Sequence, residues 1–437
     1  MLSLIFRMAL PAVAAQVVNL LYNIVDRIYI GHIQDIGTDA LAGIGITSSI
    51  IIMVSAFAAI VGAGGAPLAA ISLGRNDRVK AGEILGNGFS LLVIFSLLIT
   101  TITYIFMNPI LTFAGASDKT LEYACDYLSV YLSGTFFVLI STGLNSFINA
   151  QGRPSVAMWA VITGAGLNII LDPLFIFYFD MGIKGAAIAT VISQFCSAAW
   201  ILSFLLSKKA TLPVERKYLK LKFKILCPII GLGLSPFIMT ITETFVIFAL
   251  NGTLKNYGDI YISALAIMQS AMQFVSVPLV GFTQGFVPIM SYNYGHGNKD
   301  RMKECCKIVI AVMFSFNFIL ILLMISFPGI VASAFTNDIL LIQTVENYMP
   351  LFLFGMTIFG LQRACQNMFV ALGKAKISIF IALLRKIILL IPLVFILSKY
   401  FGVTGTFAAE AISDMTAAIC CTIIFTFSFP RILRSMK

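Results

Sequence analysis

Long runs of apolar residues dominate the chain, and short polar stretches separate them. A run of about 20 apolar residues is long enough to cross the hydrocarbon core of a bilayer as an α-helix. The runs are continuous and do not alternate with polar positions, which favours helices over the strands of a membrane barrel. The sequence predicts twelve spans, at residues 4–28, 40–72, 84–107, 121–149, 155–179, 182–206, 225–250, 260–293, 305–327, 339–371, 377–398 and 402–428.

Composition excludes a soluble globular protein. Of the 437 residues, 59% are hydrophobic and only 11% are charged. A soluble domain could not hide so much apolar surface from water. We therefore expect an all-α polytopic membrane protein whose main partner is the lipid bilayer.

The basic residues indicate how the chain is oriented. Lys and Arg outnumber Asp and Glu by 29 to 19, which gives a net charge of +10. Most of the cations lie at 75–80, 208–224, 299–307 and 431–437, which a twelve-span topology puts on one side. Cytoplasmic loops carry such an excess, so we expect a multi-pass membrane protein with both termini cytoplasmic. The charge reflects topology and attraction to anionic lipid, and no nucleic-acid partner is expected.

The chain divides into two similar halves. A basic linker at 207–224 separates a first lobe, 1–206, from a second lobe, 225–437, and each lobe holds six predicted spans. Parallel repeats of this kind are a transporter architecture, and they predict two pseudo-symmetric six-helix bundles. The matching segments are 150–154 with 371–375, 182–186 with 402–406, Pro67 and Gly74 with Pro288 and Gly295, and 76–80 with 299–303.

Carboxylates inside or at the edge of apolar runs are the first candidates for chemistry. Asp26, Asp172 and Glu243 are placed in this way. A carboxylate in hydrocarbon costs a few kcal/mol, so it usually faces a cavity and marks an ion or substrate path. The pattern points to a transporter that works by protonation or cation binding.

Two groups of polar residues in the first lobe accompany these acids. Asn19, Tyr22, Asn23 and Asp26 share one helix face, and Asn168 and Asp172 are spaced i, i+4 with Pro173 directly after them. Carboxylate, amide and hydroxyl oxygens can hold a small cation, and a desolvated carboxylate can carry a proton. The alternative is two buried polar groups, each hydrogen-bonded separately at a helix contact.

The second lobe carries its own intramembrane acids. Glu410 and Asp414 are spaced i, i+4 on the last predicted span, and Arg363 or Arg385 could pair with either. A structural salt bridge and a transport role both remain open for these secondary acids.

Pro11 interrupts the first span, and we expect a kink there that is either static or a hinge.

No nucleophile, base and acid arrangement is present, so no catalytic residue, metal site or cofactor is expected and the protein is not predicted to be an enzyme.

Several motifs resemble those of the multidrug and toxic compound extrusion (MATE) transporters, with the DinF-like and MepA-like bacterial branches most similar. The resemblance covers nearly the whole chain. The motifs that carry it are Leu10-Pro11, Val25-Asp26, Gly31, Ala40-Leu-Ala42-Gly43-Ile-Gly45, Ala150-Gln-Gly152-Arg-Pro154 and Asn168-Ile-Ile-Leu-Asp172-Pro173.

The resemblance implies a V-shaped pair of bundles that alternates between inward-open and outward-open states. It implies export of bulky, often cationic drugs in exchange for H+ or Na+, by a protein that we expect to be a monomer. The expected ion-coupling residues are Asp26, Asn168, Asp172, Thr190, Tyr127 and Asn145. The expected substrate-binding residues are Asn19, Tyr22, Asn23, Gln194 and Glu243, and Pro11 would be the residue that forms the bend.

One departure from the family and two other functions bear on this interpretation. The tenth span, 339–371, lacks the aspartate that some family members have there. Its one acid is Glu346 at the outer end, and Gln362 or Gln366 stands near the usual position, which favours coupling in the first lobe.

A flippase for a lipid-linked precursor would need Arg or Lys in its cavity. A passive channel would show no coupled transport.

Overall fold

The computed structural model describes residues 1–33 and 37–436, and Lys437, counted above among the cytoplasmic cations, lies outside them. The described residues form helices and no strands. The first half contains α1 (Leu2–Gly31), α2 (Gly37–Gly74), α3 (Arg78–Ile105), α4 (Met107–Phe113), α5 (Asp118–Ser133), α6 (Thr135–Ala150), α7 (Pro154–Pro173) and α8 (Gly182–Leu205). The second half contains α9 (Phe223–Leu254), α10 (Asp259–His296), α11 (Lys299–Ser326), α12 (Pro328–Ser333), α13 (Ile339–Phe354), α14 (Phe359–Ala371), α15 (Ala375–Leu383) and α16 (Ile391–Ser435).

The prediction of an all-α polytopic membrane protein is confirmed. Within the described residues, 10 helices are long and apolar enough to cross a membrane, and α5 and α6 together form an eleventh candidate. One of the 10, from Ala375 to Ser435, is two helices merged across a kink at Gly402, where φ is 59° and ψ is −137°. The count is therefore consistent with the twelve predicted spans.

Four of the predicted spans are irregular where the sequence suggested a continuous helix, among them the eleventh, which contains the π-helical segment Leu384–Leu390. The fourth bends by 60° between α5 and α6, at Gly134, where a Cβ atom would collide with Val191. The tenth passes through a 3-10 turn at Gly355–Ile358. The fifth ends in a π-helical segment, Leu174–Tyr178, directly after Pro173. Proline cannot donate to the carbonyl one turn earlier, which loosens the helix there.

Two hydrophobic clusters form the interior. One is built from residues between Ile30 and Ile229, and the other from residues between Val246 and Met436. Ile5, Met8 and Ala9, at the start of α1, belong to the second cluster. The first turns of α1 thus pack with the second half of the chain. The lobe boundaries at 206 and 225 stay a prediction.

The basic linker packs on α3. Lys222 Nζ lies 2.5 Å from Glu83 Oε1, and the Asn87 amide donates to the Tyr218 carbonyl at 3.2 Å and accepts from the Lys222 backbone at 2.7 Å. Ser90 donates to the Leu219 carbonyl at 2.7 Å. These bonds hold the linker against the start of α3. We call this side of the molecule, which also carries Met1, the linker end.

The two halves touch most closely in the part of the molecule nearest the linker end. Gly281 and Gly285 on α10 lie against the backbone of Val13 and Ala9 on α1, where a Cβ atom would collide. Gly74, at the end of α2, lies in the same way against the Tyr292 backbone. Small residues let membrane helices approach in this way. The helices of the two halves are therefore packed backbone to backbone at this end.

Candidate functional site

A polar cavity of about 130 Å³ lies among α1, α6, α7 and α8 in the first half. Polar side chains lining a space between apolar helices are where a membrane protein can hold an ion or a polar group. The structure brings together six of the predicted residues in its wall: Asn19, Tyr22, Asn145, Asn168, Thr190 and Gln194.

Asn168 connects two of the predicted ion-coupling residues. Its amide nitrogen donates to Asp172 Oδ1 at 3.1 Å and lies 3.5 Å from Thr190 Oγ1. Thr190 in turn donates to the Ala186 carbonyl at 3.0 Å, a bond along its own helix. All three side chains are buried. The i, i+4 spacing of Asn168 and Asp172 on α7 thus turns both groups toward α8.

Asp26 completes this group from α1. Its carboxyl group lies close to that of Asp172 on α7, near enough for the two to interact. Within the described residues, Asp26 Oδ1 and Asp172 Oδ2 are buried without a hydrogen-bond donor, and neither residue forms an ion pair with a Lys or Arg. Two neighbouring carboxylates in a region of low dielectric cannot both remain charged cheaply. The arrangement therefore suits a shared proton or a bound cation.

Two tyrosines surround the carboxyl pair. Tyr127 on α5 is buried, stacks on Tyr131 with ring centroids 6.2 Å apart, and lies near Thr190. Tyr22 lies one turn before Asp26 on α1 and lines the cavity. Both side chains therefore lie beside the carboxyl pair and carry a hydroxyl group that can donate or accept a hydrogen bond.

The helix that carries Asp172 becomes irregular directly after this residue. Pro173 ends the regular helix, and the π-helical turn Leu174–Tyr178 follows. π-Helical turns insert an extra residue and often occur at functional sites. Gly185 on α8 packs against the Phe175 backbone with no room for a Cβ atom, so this irregular turn lies directly against α8.

The cavity also contains polar residues that the sequence analysis did not identify. Ser141 donates to Gln194 Oε1 at 2.7 Å. The other unpredicted polar residues in the wall are Gln16, Thr142, Ser146, Ser193, Ser197 and Gln284. A signal was available, because Ser141 with Asn145 and Ser193 with Ser197 have the i, i+4 spacing of one helix face.

Three of the residues predicted to bind substrate or to form the hinge lie away from this cavity. Asn23 is exposed and donates back to the Asn19 carbonyl at 2.6 Å. Glu243 is exposed on α9 in the second half. Pro11 lies within α1, which runs without interruption from Leu2 to Gly31. Roles for these residues in substrate binding or as a hinge stay predictions.

Comparison with known proteins identifies the family. The MatE family model matches residues 11–174 and 236–396, which include the motifs around Asp26 and Asp172. The chain belongs to the MatE family. The resemblance noted in the sequence is thereby confirmed.

Curated MatE relatives match almost the whole chain. The multidrug export protein MepA of Staphylococcus aureus (strain N315) is 27% identical over 421 residues, covering 95% of this chain and 91% of MepA. MepA of Staphylococcus haemolyticus (strain JCSC1435) is 26% identical, covering 94% of this chain and 90% of the relative. The chain is therefore a member of a family of multidrug export transporters.

Solved structures show the same fold. A crystal structure of MATE in the bent conformation has a TM-score of 0.91 at 23% identity and covers 99% of this chain and 96% of its own. A multidrug resistance MATE family transporter of the MOP superfamily, in an outward-facing conformation, has a TM-score of 0.91 at 22% identity and covers 98% and 96%.

The second half of this MatE chain holds a buried charge cluster. Arg385 Nε lies 2.5 Å from Asp414 Oδ1, and Lys386 Nζ lies 3.1 Å from Glu410 Oε1. Arg385 also approaches Glu410, at 3.8 Å. Of the two arginines proposed as partners, Arg385 makes the ion pairs. Arg363 makes none with the described residues, because its guanidinium faces a different space.

That space is a central cavity of about 370 Å³ between the two halves of the MatE fold. Its wall comes from α2, α6, α9, α10 and α14. Thr142, Ser146 and Gln284 line both this cavity and the smaller polar one, so the two spaces adjoin. A molecule in the central cavity would lie next to the polar wall of the first half.

Proposed function

We propose that this MatE protein is a cation-coupled antiporter that exports bulky, often cationic organic compounds in exchange for H+ or Na+. The observation that carries the proposal is the Asp26–Asp172 carboxyl pair, in which Asp172 is buried and Asp26 is half-buried, and which lies beside a polar cavity and lacks a basic partner among the described residues. A site of this kind gains a proton or a cation at little cost and can release it again.

The contrast between the two halves supports coupling in the first half. In the second half, Glu410 and Asp414 are neutralised by Lys386 and Arg385, which belong to the protein and cannot be exchanged. The carboxyl pair in the first half has no such internal cation within ion-pair distance in the described residues. An exchangeable ion from solution is therefore needed only there.

The packing of the halves supports alternating access. With the linker end in the cytoplasm, the close contacts of Gly74, Gly281 and Gly285 seal the cytoplasmic side. The central cavity would then communicate with the outside, and transport would require these contacts to open. A bacterial plasma membrane, cytoplasmic termini and a monomeric transporter form part of this proposal.

The flippase alternative is the weaker one. A lipid pyrophosphate carries several negative charges and needs several cations in the cavity, whereas Arg363 is the one charged side chain that lines the central space within the described residues. The two MepA relatives from Staphylococcus are, in addition, multidrug export proteins.

Reconstitution into proteoliposomes tests the proposal. Uptake of a fluorescent organic cation is measured under a pH gradient alone and under a Na+ gradient alone. Accumulation against its own gradient, driven by one of the two ions and abolished when that gradient is collapsed, is the expected result. Equilibration without accumulation under both gradients would indicate a passive channel and would exclude coupling.

A further inference from the structure

Arg363 on α14 is the one charged side chain in the wall of the central cavity, as far as the structure describes the chain. None of the intramembrane acids Asp26, Asp172, Glu243, Glu410 and Asp414 is part of this wall. The charge that the described residues contribute to the wall of the central cavity is therefore positive. This differs from the expectation for a cavity that only receives organic cations.

Among the described residues, the Arg363 guanidinium has no hydrogen-bond or ion-pair partner. Its Nε is buried without an acceptor, and Glu243, whose charge acts on Arg363, forms no ion pair with it. The Phe359 ring lies 5.5 Å from the guanidinium carbon and covers one side of it. A desolvated cation without a hydrogen-bonded partner is costly. By contrast, the nearby Arg385 has Asp414 as its partner.

The wall around Arg363 combines apolar surface with neutral hydrogen-bonding groups. Val280, Val287 and Val370 supply apolar contact. One turn from Arg363, the Gln366 amide nitrogen points at the Met239 sulfur, at 3.2 Å. A thioether is a weak acceptor, so this donor is available to a better one, such as an oxygen atom of a ligand.

We propose that the central cavity binds amphipathic molecules through an anionic group, such as a carboxylate, sulfonate or phosphate, that pairs with Arg363 and accepts from Gln366. The apolar body of the molecule packs against the valines. The planar guanidinium suits an oxyanion, which it can bind through two hydrogen bonds. The proposal rests on the proposed transport function, because it assigns this cavity to the substrate path, and it extends the substrate class to anions and zwitterions.

A pair of probes with the same apolar body and opposite charge tests the assignment. Binding of 1-pyrenesulfonate and of N-(1-pyrenylmethyl)trimethylammonium to the full chain is measured by fluorescence anisotropy in nanodiscs of zwitterionic lipid. We expect Arg363→Gln to weaken sulfonate binding by about tenfold or more, which corresponds to the loss of one charge-assisted hydrogen bond. Arg363→Lys keeps the charge and should restore most of the affinity.

The matched control is Arg153→Gln, which removes an exposed arginine outside the cavity and should leave both affinities unchanged. Gel filtration and thermal unfolding verify that Arg363→Gln is folded. Unchanged sulfonate affinity in Arg363→Gln would overturn the proposal, as would equal loss of the sulfonate and the ammonium probe. An unfolded Arg363→Gln protein leaves Arg363→Lys as the test, because cavity binding requires that variant to bind sulfonate more tightly than ammonium.

A second arm identifies the source of the anion. Nanodiscs that contain phosphatidylglycerol should displace the sulfonate from the wild type if lipid headgroups enter the cavity, and leave it bound if only soluble amphiphiles do. Either outcome is consistent with the anion site. These are equilibrium measurements without an ion gradient, so failure of coupled transport would not affect them, and loss of the anion site would leave coupled cation export intact.

Discussion

Arg385 and Asp414 form an ion pair between the last two spans, with 2.5 Å from Nε to Oδ1. Arg385 lies in the π-helical segment Leu384–Leu390, and Ser413 donates to its backbone carbonyl. The pair is buried and continues to Glu410 and Lys386. Two acids and two bases thus form a neutral cluster that links α16 to the irregular segment before it.

The first prediction is that this cluster maintains stability. Asp414→Asn leaves Arg385 buried without its closest charge partner and should cost about 3–5 kcal/mol of folding free energy. Thermal unfolding in detergent, followed with a thiol-reactive dye that reports exposure of the buried Cys305 and Cys365, measures the loss.

The matched control for this cluster is the double variant Arg385→Met with Asp414→Leu, which removes both charges. It should unfold at a higher temperature than Asp414→Asn, because no uncompensated charge remains. Wild-type stability in Asp414→Asn would show that the ion pair is not structural, and would direct attention to a transport role for these acids.

The second prediction concerns Asp26. Asp26→Asn keeps the shape and part of the hydrogen bonding but removes the titratable charge. Uphill export of a fluorescent drug from cells should be lost while the amount of protein in the membrane stays near normal. Asp300→Asn is the control, since the Asp300 side chain is 96% exposed and should be dispensable. Full uphill efflux by Asp26→Asn would remove this residue from the mechanism.

The third prediction uses Asp172 to identify the coupling ion. If the carboxyl pair carries a proton, binding of a cationic drug should weaken as pH falls, because protonation removes the negative charge that attracts the drug, and Na+ should have little effect. If the pair binds sodium, added Na+ should weaken drug binding at constant pH. Isothermal titration of purified protein separates the two cases.

Asp172→Asn should abolish whichever ion dependence is found, because one carboxylate alone is no longer forced to share a charge with its neighbour. Drug affinity that responds to neither ion, combined with normal export by Asp172→Asn, would make the pair structural. The coupling site would then have to be sought at Glu243, Glu410 and Asp414.

The fourth prediction concerns the contact between the halves. Gly285 lies against Ala9, and a leucine at this position cannot fit while α1 and α10 are packed. Gly285→Leu should therefore favour a state that is open at the linker end. A single cysteine at Ala9, probed with an impermeant maleimide in inside-out vesicles, should react faster than in the wild-type background.

Gly231→Leu is the matched control for this substitution, because a Cβ atom at Gly231 meets no neighbour. Leucine favours helix over glycine at both positions, so a difference between the variants reports packing and not helix propensity. Equal labelling rates for Gly285→Leu and Gly231→Leu would contradict the role given to this contact.

The fifth prediction is the orientation in the membrane. Lys217 lies in the linker with 61% of its side chain exposed, and Lys217→Cys should resist impermeant reagents in intact cells if the linker is cytoplasmic. Lys255→Cys, in the α9–α10 connection, should react from outside. The background must lack Cys227, which is exposed. Labelling of position 217 in intact cells would show that the linker lies outside and would contradict the predicted orientation.

The sequence predicted much of the fold and part of the candidate site. The apolar runs identified the helices because a bilayer requires each span to be long, apolar and internally hydrogen-bonded. The i, i+4 spacing of Asn168 and Asp172 placed both residues on one helix face, and the structure brings both beside Asp26. The breaks at Gly134 and Gly355 were not predicted, because they depend on contacts with α8 and α16 that local sequence does not reveal.

By itself, the sequence determined the class of protein, the number of apolar runs and the chemical nature of the intramembrane acids, since these follow from composition and periodicity. Only the tertiary structure decided which charges meet. Asp26 and Asp172 face each other without a base in the described part of the chain, whereas Asp414 has Arg385 and Arg363 faces the central cavity unpaired. The physical reason is that pairing of charges depends on distances of a few ångströms between helices far apart in sequence, and helix packing alone sets those distances.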